Sequence, residues 1–260
     1  MNNKEILLFE IFKKEKIMLK IISQTKKISN LTESEKNTMF KLLTLEFIGV
    51  CQKDFNHDLE EKDVAVLLRK KTSDGEIVGF STLMLLDLPI IGRKVKVVFS
   101  GDTTVNPEFR TSGGIGIGIG HYFMKALEKF PKYEIYYVLI SKGWRTYKVL
   151  PFFFKNFAPK NTEQTSSKIK DVMDAFGNMK YPNYYDTDKG LILFSKETQR
   201  LIPGSIDAVP PQNPDLHTRF FLEKNPSYLS GTELVCVGEV DIKNFASPLV
   251  RLIKMSNHQS

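Results

Sequence analysis

Apolar and polar positions along this chain follow two different periods, which predict strands and helices in a definite order. Runs of apolar and β-branched residues predict five successive strands, at 19–23, 64–70, 76–88, 94–105 and 134–140. Apolar residues at helical spacing predict helices at 32–47 and 119–130, and the first begins at a capping box of Thr32 and Glu35. The pattern predicts an α/β protein of the α+β type, with a mixed, mainly antiparallel central sheet flanked by helices.

Short connections join the three middle strands. Asp74-Gly75 is a strong hairpin signal and 88–93 forms a second turn, so 64–105 is predicted to be an antiparallel meander. A helix is predicted at 143–157, and Pro151 should kink or break it because proline cannot donate the helical hydrogen bond. Further along, the pattern predicts helices and strands at 166–176, 190–195, 216–224 and 233–240.

The most informative segment is the glycine-rich run 110–120, RTSGGIGIGIG, which lies between a predicted strand and a predicted helix. Backbone N–H groups in such a turn can converge on a phosphate, and the positive end of the following helix attracts the same anion. The glycine spacing does not fit the dinucleotide fingerprint, and no Gly-Lys-Ser or Gly-Lys-Thr follows, which excludes a P-loop. The alternative interpretation is that the glycines only turn the chain.

The amino-acid composition limits the class of protein and its cellular compartment. With 260 residues, 42% hydrophobic and 26% charged, the chain is predicted to be one globular domain with an elaboration. Cys51 and Cys236 are far apart and are predicted to be buried thiols of a reducing compartment, which indicates the cytoplasm. No apolar run approaches the roughly 20 residues that span a bilayer. Charged residues interrupt 1–20, which predicts a short helix there, not a signal peptide, with at most a weak peripheral contact with a membrane.

Charge narrows the choice of partners. The net charge of +7 favours anionic ligands or partners. Nucleic acid is not predicted as a partner, because the lysine-rich pieces are short, scattered and not interleaved with aromatic residues. The four histidines are scattered as well, and we predict no metal site.

Residues 105–110, VNPEFR, followed by glycine-isoleucine-glycine, resemble the signature of the GNAT acyltransferase superfamily. In that superfamily a valine, a proline and an arginine precede the loop for the pyrophosphate of acyl-CoA, and the order of predicted elements over 19–157 is also similar. The resemblance implies direct transfer of an acyl group from the thioester of acyl-CoA or acyl carrier protein to an amine or hydroxyl. It implies a donor site made by Val105, Arg110, Thr111, Ser112, Gly113, Gly114, Ile115, Gly116 and Gly118.

The loop departs from the superfamily's pattern, because several extra residues separate the arginine from the paired glycines. The glycine run can therefore be aligned with the superfamily's phosphate-binding loop in two registers. If 113–116 forms the cradle, Arg110 lies beside the phosphates, and if 116–120 forms it, Arg110 lies towards the rim.

The resemblance also implies catalytic residues. Tyr147 follows strand 134–140 near the place where the superfamily often has a tyrosine, as the acid that protonates the departing thiolate. Asp102 and Glu108, on either side of the signature's valine, are the candidate bases. The alternatives are an ordinary helix tyrosine at 147 and a carboxylate at 102 that caps a turn. Tyrosines and an aspartate of a later loop are hypothesised to line the acceptor pocket or to be a packed surface cover: Tyr181, Tyr184, Tyr185 and Asp186.

The chain is divided into an N-terminal extension (1–18), a GNAT-like core (19–157), an insertion or lid with terminal strands of the same domain (158–245) and a C-terminal tail (246–260). The leading hypothesis is an acyltransferase that acts on a small-molecule or acyl-chain substrate, and the basic surface would suit an acidic acyl carrier protein. The alternative is a non-catalytic acyl- or CoA-binding or regulatory protein on the same scaffold. A third class is an architectural protein whose loop binds nothing.

Overall fold

A computed structural model describes residues 21–72, 74–162, 164–194 and 199–256. The predicted N-terminal extension and residues 257–260 of the predicted tail lie outside the described residues. Over the described residues the strands are β1 (Ile21–Lys27), β2 (Phe47–Ile48), β3 (Val64–Lys70), β4 (Ile77–Ile90), β5 (Arg93–Val105), β6 (Glu134–Ser141), β7 (Phe157–Ala158), β8 (Tyr185–Asp186), β9 (Leu191–Leu193), β10 (Arg200–Leu201) and β11 (Thr232–Glu239).

The central sheet has the order β1-β3-β4-β5-β6-β11-β9-β8, with β7 also paired to β11. β5 and β6 run parallel, and the other neighbours in this sheet are antiparallel. β2 and β10 form a separate antiparallel pair. A mixed, mainly antiparallel sheet flanked by helices is the predicted fold class, which is confirmed.

Helices cover both faces of the sheet. They are α1 (Glu33–Thr44), α2 (Gln52–Glu60), α3 (Gly114–Lys129), α4 (Trp144–Tyr147), α5 (Val149–Phe153), α6 (Ser167–Lys180), α7 (Leu216–Lys224) and α8 (Ser247–Ser256). Because successive strand residues point to opposite faces, Tyr137 of β6 packs with α3, α5 and α8, while Tyr136 and Val138 pack with α6. On the same face of the sheet as α6, helices α1 and α2 pack on β3 and β4.

The glycines inside α3 let the helix approach its neighbours on two sides. A Cβ on Gly114 or Gly118 would collide with Leu68 or Val66 of β3. A Cβ on Gly120 would lie 2.8 Å from Ile253 of α8. Most of the glycine run is therefore helix that packs closely on β3 and α8.

Two predicted boundaries differ from the structure. The helix expected at 143–157 divides at Lys148 into α4 and α5, so the break precedes Pro151, which lies inside α5. The predicted tail contains an ordered helix, α8, whose Leu249 and Leu252 are buried against α3 and α5. Segment 158–245 contributes β11 to the central sheet and α6 to the helical layer that covers one face of that sheet, so it extends the core.

Candidate active site

A cleft of about 980 Å³ opens where β5 and β6 separate. The two strands pair from Val95–Glu134 to Ser100–Leu139. Beyond Ser100, β5 has a register shift against β4 and stays paired with β4 as far as Val105, while the end of β6 pairs with β11. The facing edges of β5 and β6 are therefore left unpaired along one wall of the cleft.

One end of the cleft is formed by the turn before α3. Gly113 has φ 75°, the left-handed conformation that glycine adopts most easily, and it ends the 3₁₀ helix Pro107–Ser112 and caps α3. The first helical bond of α3 runs from the Ile117 N–H to the Gly113 carbonyl over 3.0 Å, so the N–H groups of the preceding turn have no intrahelical acceptor. Residues 111–116 line the cleft. These lining residues are those of the earlier predicted register, and the register that holds a ligand stays a prediction.

The place of Gly118 in the donor site stays a prediction that the position of this residue does not support. Gly118 lies in the second turn of α3, its Cα faces Val66 of β3, and it does not line the cleft. Close packing of α3 on β3 explains why residue 118 is a glycine.

Arg110 lines the cleft beside this turn, and protein groups bind two of its three guanidinium nitrogens, while Nη1 is buried without a hydrogen bond. Its Nε donates to the Val105 carbonyl over 3.0 Å, and its Nη2 pairs with the Glu46 carboxylate. Its Nη1 lies 3.7 Å from Oδ1 of Asp207, which is also 3.1 Å from Nε of Arg145. Burial raises the pKa of Glu46, against the lowering effect of Arg110.

The other end of the cleft holds carboxyl groups from separate strands. Glu233, at the start of β11, is 2% exposed and its Oε1 lies 3.3 Å from the Lys142 ammonium. Asp102 of β5 accepts a hydrogen bond from the Gln199 amide over 3.2 Å. Burial raises the pKa of Asp102, and it raises the pKa of Glu233 to about 7. A group with a pKa near neutrality, such as Glu233, can exchange protons with a substrate at physiological pH.

Glu233 is not among the site residues predicted from the sequence. It stands at the start of an apolar strand, and Lys142 follows β6 more than ninety residues earlier, so only the pairing of Leu234 with Ser141 brings the two together. No spacing within the sequence could have indicated this pair.

The predicted catalytic residues lie in different places. Asp102 lines the cleft, whereas Glu108 is exposed on the 3₁₀ helix and does not line it. Tyr147 is fully buried, and its hydroxyl donates to the Pro159 carbonyl over 2.7 Å, outside the cleft lining. The roles of Glu108 and Tyr147 stay predictions that the positions of the two side chains do not support.

The hypothesised acceptor loop contributes one ring to the cleft. Tyr181 lines the cleft, whereas Tyr184 is half exposed outside it. The Tyr185 hydroxyl donates to the Asp174 carboxylate over 2.8 Å, and its ring packs on Gly177 of α6, so it is part of the cover of the sheet.

A further wall of the cleft is apolar. It comes from α1, α2 and the segment between them, together with β5, and its residues are Leu43, Phe47, Val50, Phe55 and Phe99. Leu43, Phe55 and Phe99 are buried, and the wall lies on the α1 and α2 side of the sheet. Cys51 lines the same part and is exposed, which corrects the expectation that both thiols are buried.

Neither a metal centre nor a spanning helix is found in the part of the chain that the structure describes. Among those residues, His, Cys, Asp and Glu form no group of three or more that could hold a metal ion. The helices described above are too short or too polar to cross a bilayer.

Solved structures of GNAT acyltransferases are similar to this chain over about half of its length. One is a probable N-acyltransferase from Enterococcus faecalis V583 (16% identity, 52% of this chain and 33% of that one, TM-score 0.39). Another is a GNAT N-acetyltransferase from Escherichia coli in complex with CoA (14% identity, 47% and 63%, TM-score 0.34). A third is glucosamine-6-phosphate N-acetyltransferase from Arabidopsis thaliana (16% identity, 56% and 97%, TM-score 0.36).

The match spans less than two thirds of the length of the first two proteins. No family model matches the sequence, and no curated protein matches it. A meander (β3–β5), a glycine turn, α3, a parallel β6 and the α4–α5 pair follow one another in the order that the resemblance implies.

Proposed function

We propose that this protein is an acyltransferase that moves an acyl group from the thioester of acyl-CoA or acyl carrier protein to an amine or hydroxyl. One observation carries the proposal. A single cleft joins the first turn of α3 to the buried carboxyl groups of Asp102 and Glu233, and it passes along the open edges of β5 and β6. A phosphate-bearing thioester and an acceptor would meet within it.

The donor's phosphates would bind at the start of α3. The N–H groups of Ile115 and Gly116 belong to the first turn, where the helix dipole favours an anion, while the N–H of Gly114 donates to Oγ of Ser112 over 3.3 Å. The amide-containing pantetheine arm would then lie between the strands, since unpaired strand edges offer hydrogen bonds to an extended ligand.

The apolar wall supports an acyl group longer than acetyl. Leu43, Phe47 and Val50 would shield such a chain from water, and each buried methylene contributes about 0.8 kcal/mol. An acidic acyl carrier protein would suit the net charge of +7. Two free cysteines suit a reducing compartment, and we propose the cytoplasm.

Thermal unfolding with CoA, acetyl-CoA and palmitoyl-CoA tests the donor site. A ligand at one hundred times its dissociation constant stabilises the folded state by about 2.7 kcal/mol. Stabilisation by all three is expected, with the largest shift for palmitoyl-CoA. If none of the three nor an acylated carrier protein stabilises the fold, the donor site is wrong.

A pair of glycine variants locates the site. Gly113→Ala and Gly92→Ala place alanine at the same φ of 75°, which costs about 1–2 kcal/mol in each, but Gly92 is in the β4–β5 turn outside the cleft. The added Cβ would lie 2.9 Å from Leu252 at position 113 and would meet nothing within 4 Å at position 92, so Gly113→Ala should be the less stable of the two. We expect both variants to unfold at lower temperature and only Gly113→Ala to lose the shift with CoA. Equal CoA shifts in the two variants would place the donor elsewhere.

The position of Tyr147 favours a second candidate function. Its hydroxyl is bound to Pro159 outside the cleft, so the tyrosine that the resemblance assigns as acid does not reach a thiolate. A protein that binds acyl-CoA without transferring the acyl group is the function that fits this observation. Release of free thiol, measured with wild type, palmitoyl-CoA and a panel of amines and alcohols, separates the two functions.

A further inference from the structure

One carboxylate oxygen in the cleft has no partner within the protein. Oε2 of Glu233 is buried and accepts no hydrogen bond, although Glu233 lines the cleft and is 2% exposed. An unsatisfied buried acceptor costs about 1–3 kcal/mol, and more for a charged group. Such an oxygen in a cleft indicates that a donor group of a ligand binds there.

Charged and titratable groups reach Glu233 from several elements. Lys142 approaches from the end of β6, with its ammonium 3.3 Å from Oε1 of Glu233. Asp102 of β5 is near enough for its charge to raise the pKa of Glu233, after the larger effect of burial. Tyr181, after α6, is close enough for the charge of Glu233 to raise the pKa of its hydroxyl, which burial raises most.

Lys62 and Asp102, the charged groups nearest to this pair, each have a partner of their own. Lys62 is bound to Oδ1 of Asp58 over 2.6 Å, and Asp102 accepts from Gln199. Lys142 is therefore the cation that supports an ionised Glu233, while Oε2 of the same carboxylate is left for a ligand.

We propose that Glu233 takes the proton from the nucleophilic nitrogen or oxygen of the acceptor, and that Lys142 positions and supports its carboxylate. This inference rests on the proposed function. As the acceptor attacks the thioester, its N–H or O–H bond breaks and the proton passes to Oε2 of Glu233. The new bond to the acyl carbon forms, the carbon–sulfur bond breaks, and the departing thiolate takes the proton, which leaves Glu233 ionised again.

Glu233 fits this role better than the two predicted bases. Glu108 does not line the cleft, and the buried carboxylate oxygen without a partner belongs to Glu233, not to Asp102. A base acts best when its pKa is near the working pH, and the pKa of Glu233 is about 7.

Glu233→Gln tests the inference because it keeps the shape of the side chain and removes its basicity. Glu239→Gln is the matched control: it lies on the same strand, outside the cleft, and pairs at 3.2 Å with Lys168. We expect kcat to fall roughly 100-fold or more in Glu233→Gln and to change little in Glu239→Gln. The stabilisation by CoA should be retained in both.

The pH dependence supplies a readout that a purely structural role would not move. In wild type the rate should rise through about pH 7 as Glu233 ionises, and Lys142→Met should move this rise to higher pH because it removes the supporting cation. Glu233→Gln should abolish the rise.

The outcomes separate this inference from the proposed function. Transfer within threefold of wild type in Glu233→Gln, or an unmoved profile in Lys142→Met, overturns the role of Glu233 while the acyltransferase stands. If CoA stabilises the wild-type protein but no acyl group is transferred, both the transfer reaction and the role of Glu233 are overturned. The donor site then still stands. If Glu233→Gln does not fold, the profile of Lys142→Met decides.

Discussion

At one end of the cleft the polar groups belong to one continuous segment, 105–116, and at the other end they come from three strand ends far apart in the sequence. The α3 end has backbone N–H groups, whose positions follow from the start of a helix. The carboxyl end has Asp102, Lys142 and Glu233, whose positions follow from the order of β5, β6 and β11 in the sheet. The first arrangement can be recognised locally, whereas the second exists only after the sheet has formed.

The two ends also differ in how their charges are balanced. Arg110 faces two carboxylates, Glu46 and Asp207, so its positive charge is largely neutralised within the protein. A donor phosphate at this end would rely mainly on the N–H groups of α3. Glu233 has one cation and one unpartnered oxygen. Both ends retain a buried polar atom without a hydrogen bond, a donor at Nη1 of Arg110 and an acceptor at Oε2 of Glu233, so they differ in the sign of the group that they leave for a ligand.

The largest expected effect comes from breaking the ion pair at the α3 end. Arg110→Ala leaves Glu46 as a buried charge without its partner, and removal of one member of a buried pair costs about 3–5 kcal/mol. Urea unfolding measures the loss. Glu46→Gln in the same chain should restore part of it, because the stranded charge is gone. A double variant as unstable as Arg110→Ala would show that the pair is not the source of the effect.

The carboxyl end should show its effect in the pH dependence of stability. The pKa of Glu233 is raised from 4.5 in the unfolded chain to about 7, so the folded state binds the proton more tightly. This stabilisation is complete below pH 4.5 and is lost as the pH rises through about 7, by at most about 3.4 kcal/mol at 1.36 kcal/mol per pKa unit.

Urea unfolding at pH 5 and pH 8 checks this prediction. Wild type should lose more stability between the two values than Glu233→Gln. Glu46 also has a raised pKa and contributes in the same direction, so the difference between the two proteins isolates Glu233. Equal losses in both would contradict a raised pKa at Glu233.

A smaller effect distinguishes the glycines of α3 that pack from those that line the cleft. Gly118→Ala adds a methyl against Val66 and should destabilise the fold by about 1–3 kcal/mol, since overpacking forces the core to move. Its stabilisation by CoA should be unchanged.

Gly116→Ala is the matched variant, because its added Cβ would be 3.0 Å from Leu252, a milder contact, and Gly116 lines the cleft. Alanine also favours the helix by about 1 kcal/mol over glycine, so the loss of stability should be smaller. Gly116→Ala should bind CoA more weakly. The reverse result, with CoA binding lost only in Gly118→Ala, would move the anion site into the second turn.

Local signals in the sequence predicted most of the elements. The capping box of Thr32 and Glu35 is present at the start of α1, and β3 and α7 have the predicted bounds. The glycine run was harder to interpret, because the packing glycines are explained by Val66 and Ile253, which lie on distant segments. The helix α8 was missed although Leu249 and Leu252 are three residues apart, since the segment is short and its stability comes from packing on α3.

The smallest expected effect concerns Tyr147. The resemblance assigns it as the catalytic acid, whereas in the structure it lies in the core. Tyr147→Phe removes the hydrogen bond to the Pro159 carbonyl, and the net contribution of such a bond is about 1 kcal/mol. We expect this loss in urea unfolding and an unchanged rate of acyl transfer. Tyr181→Phe, which removes a hydroxyl from a ring that lines the cleft, is the matched control. If Tyr147→Phe still binds CoA but transfers a hundredfold more slowly, its hydroxyl must leave Pro159 during the reaction and act as the acid.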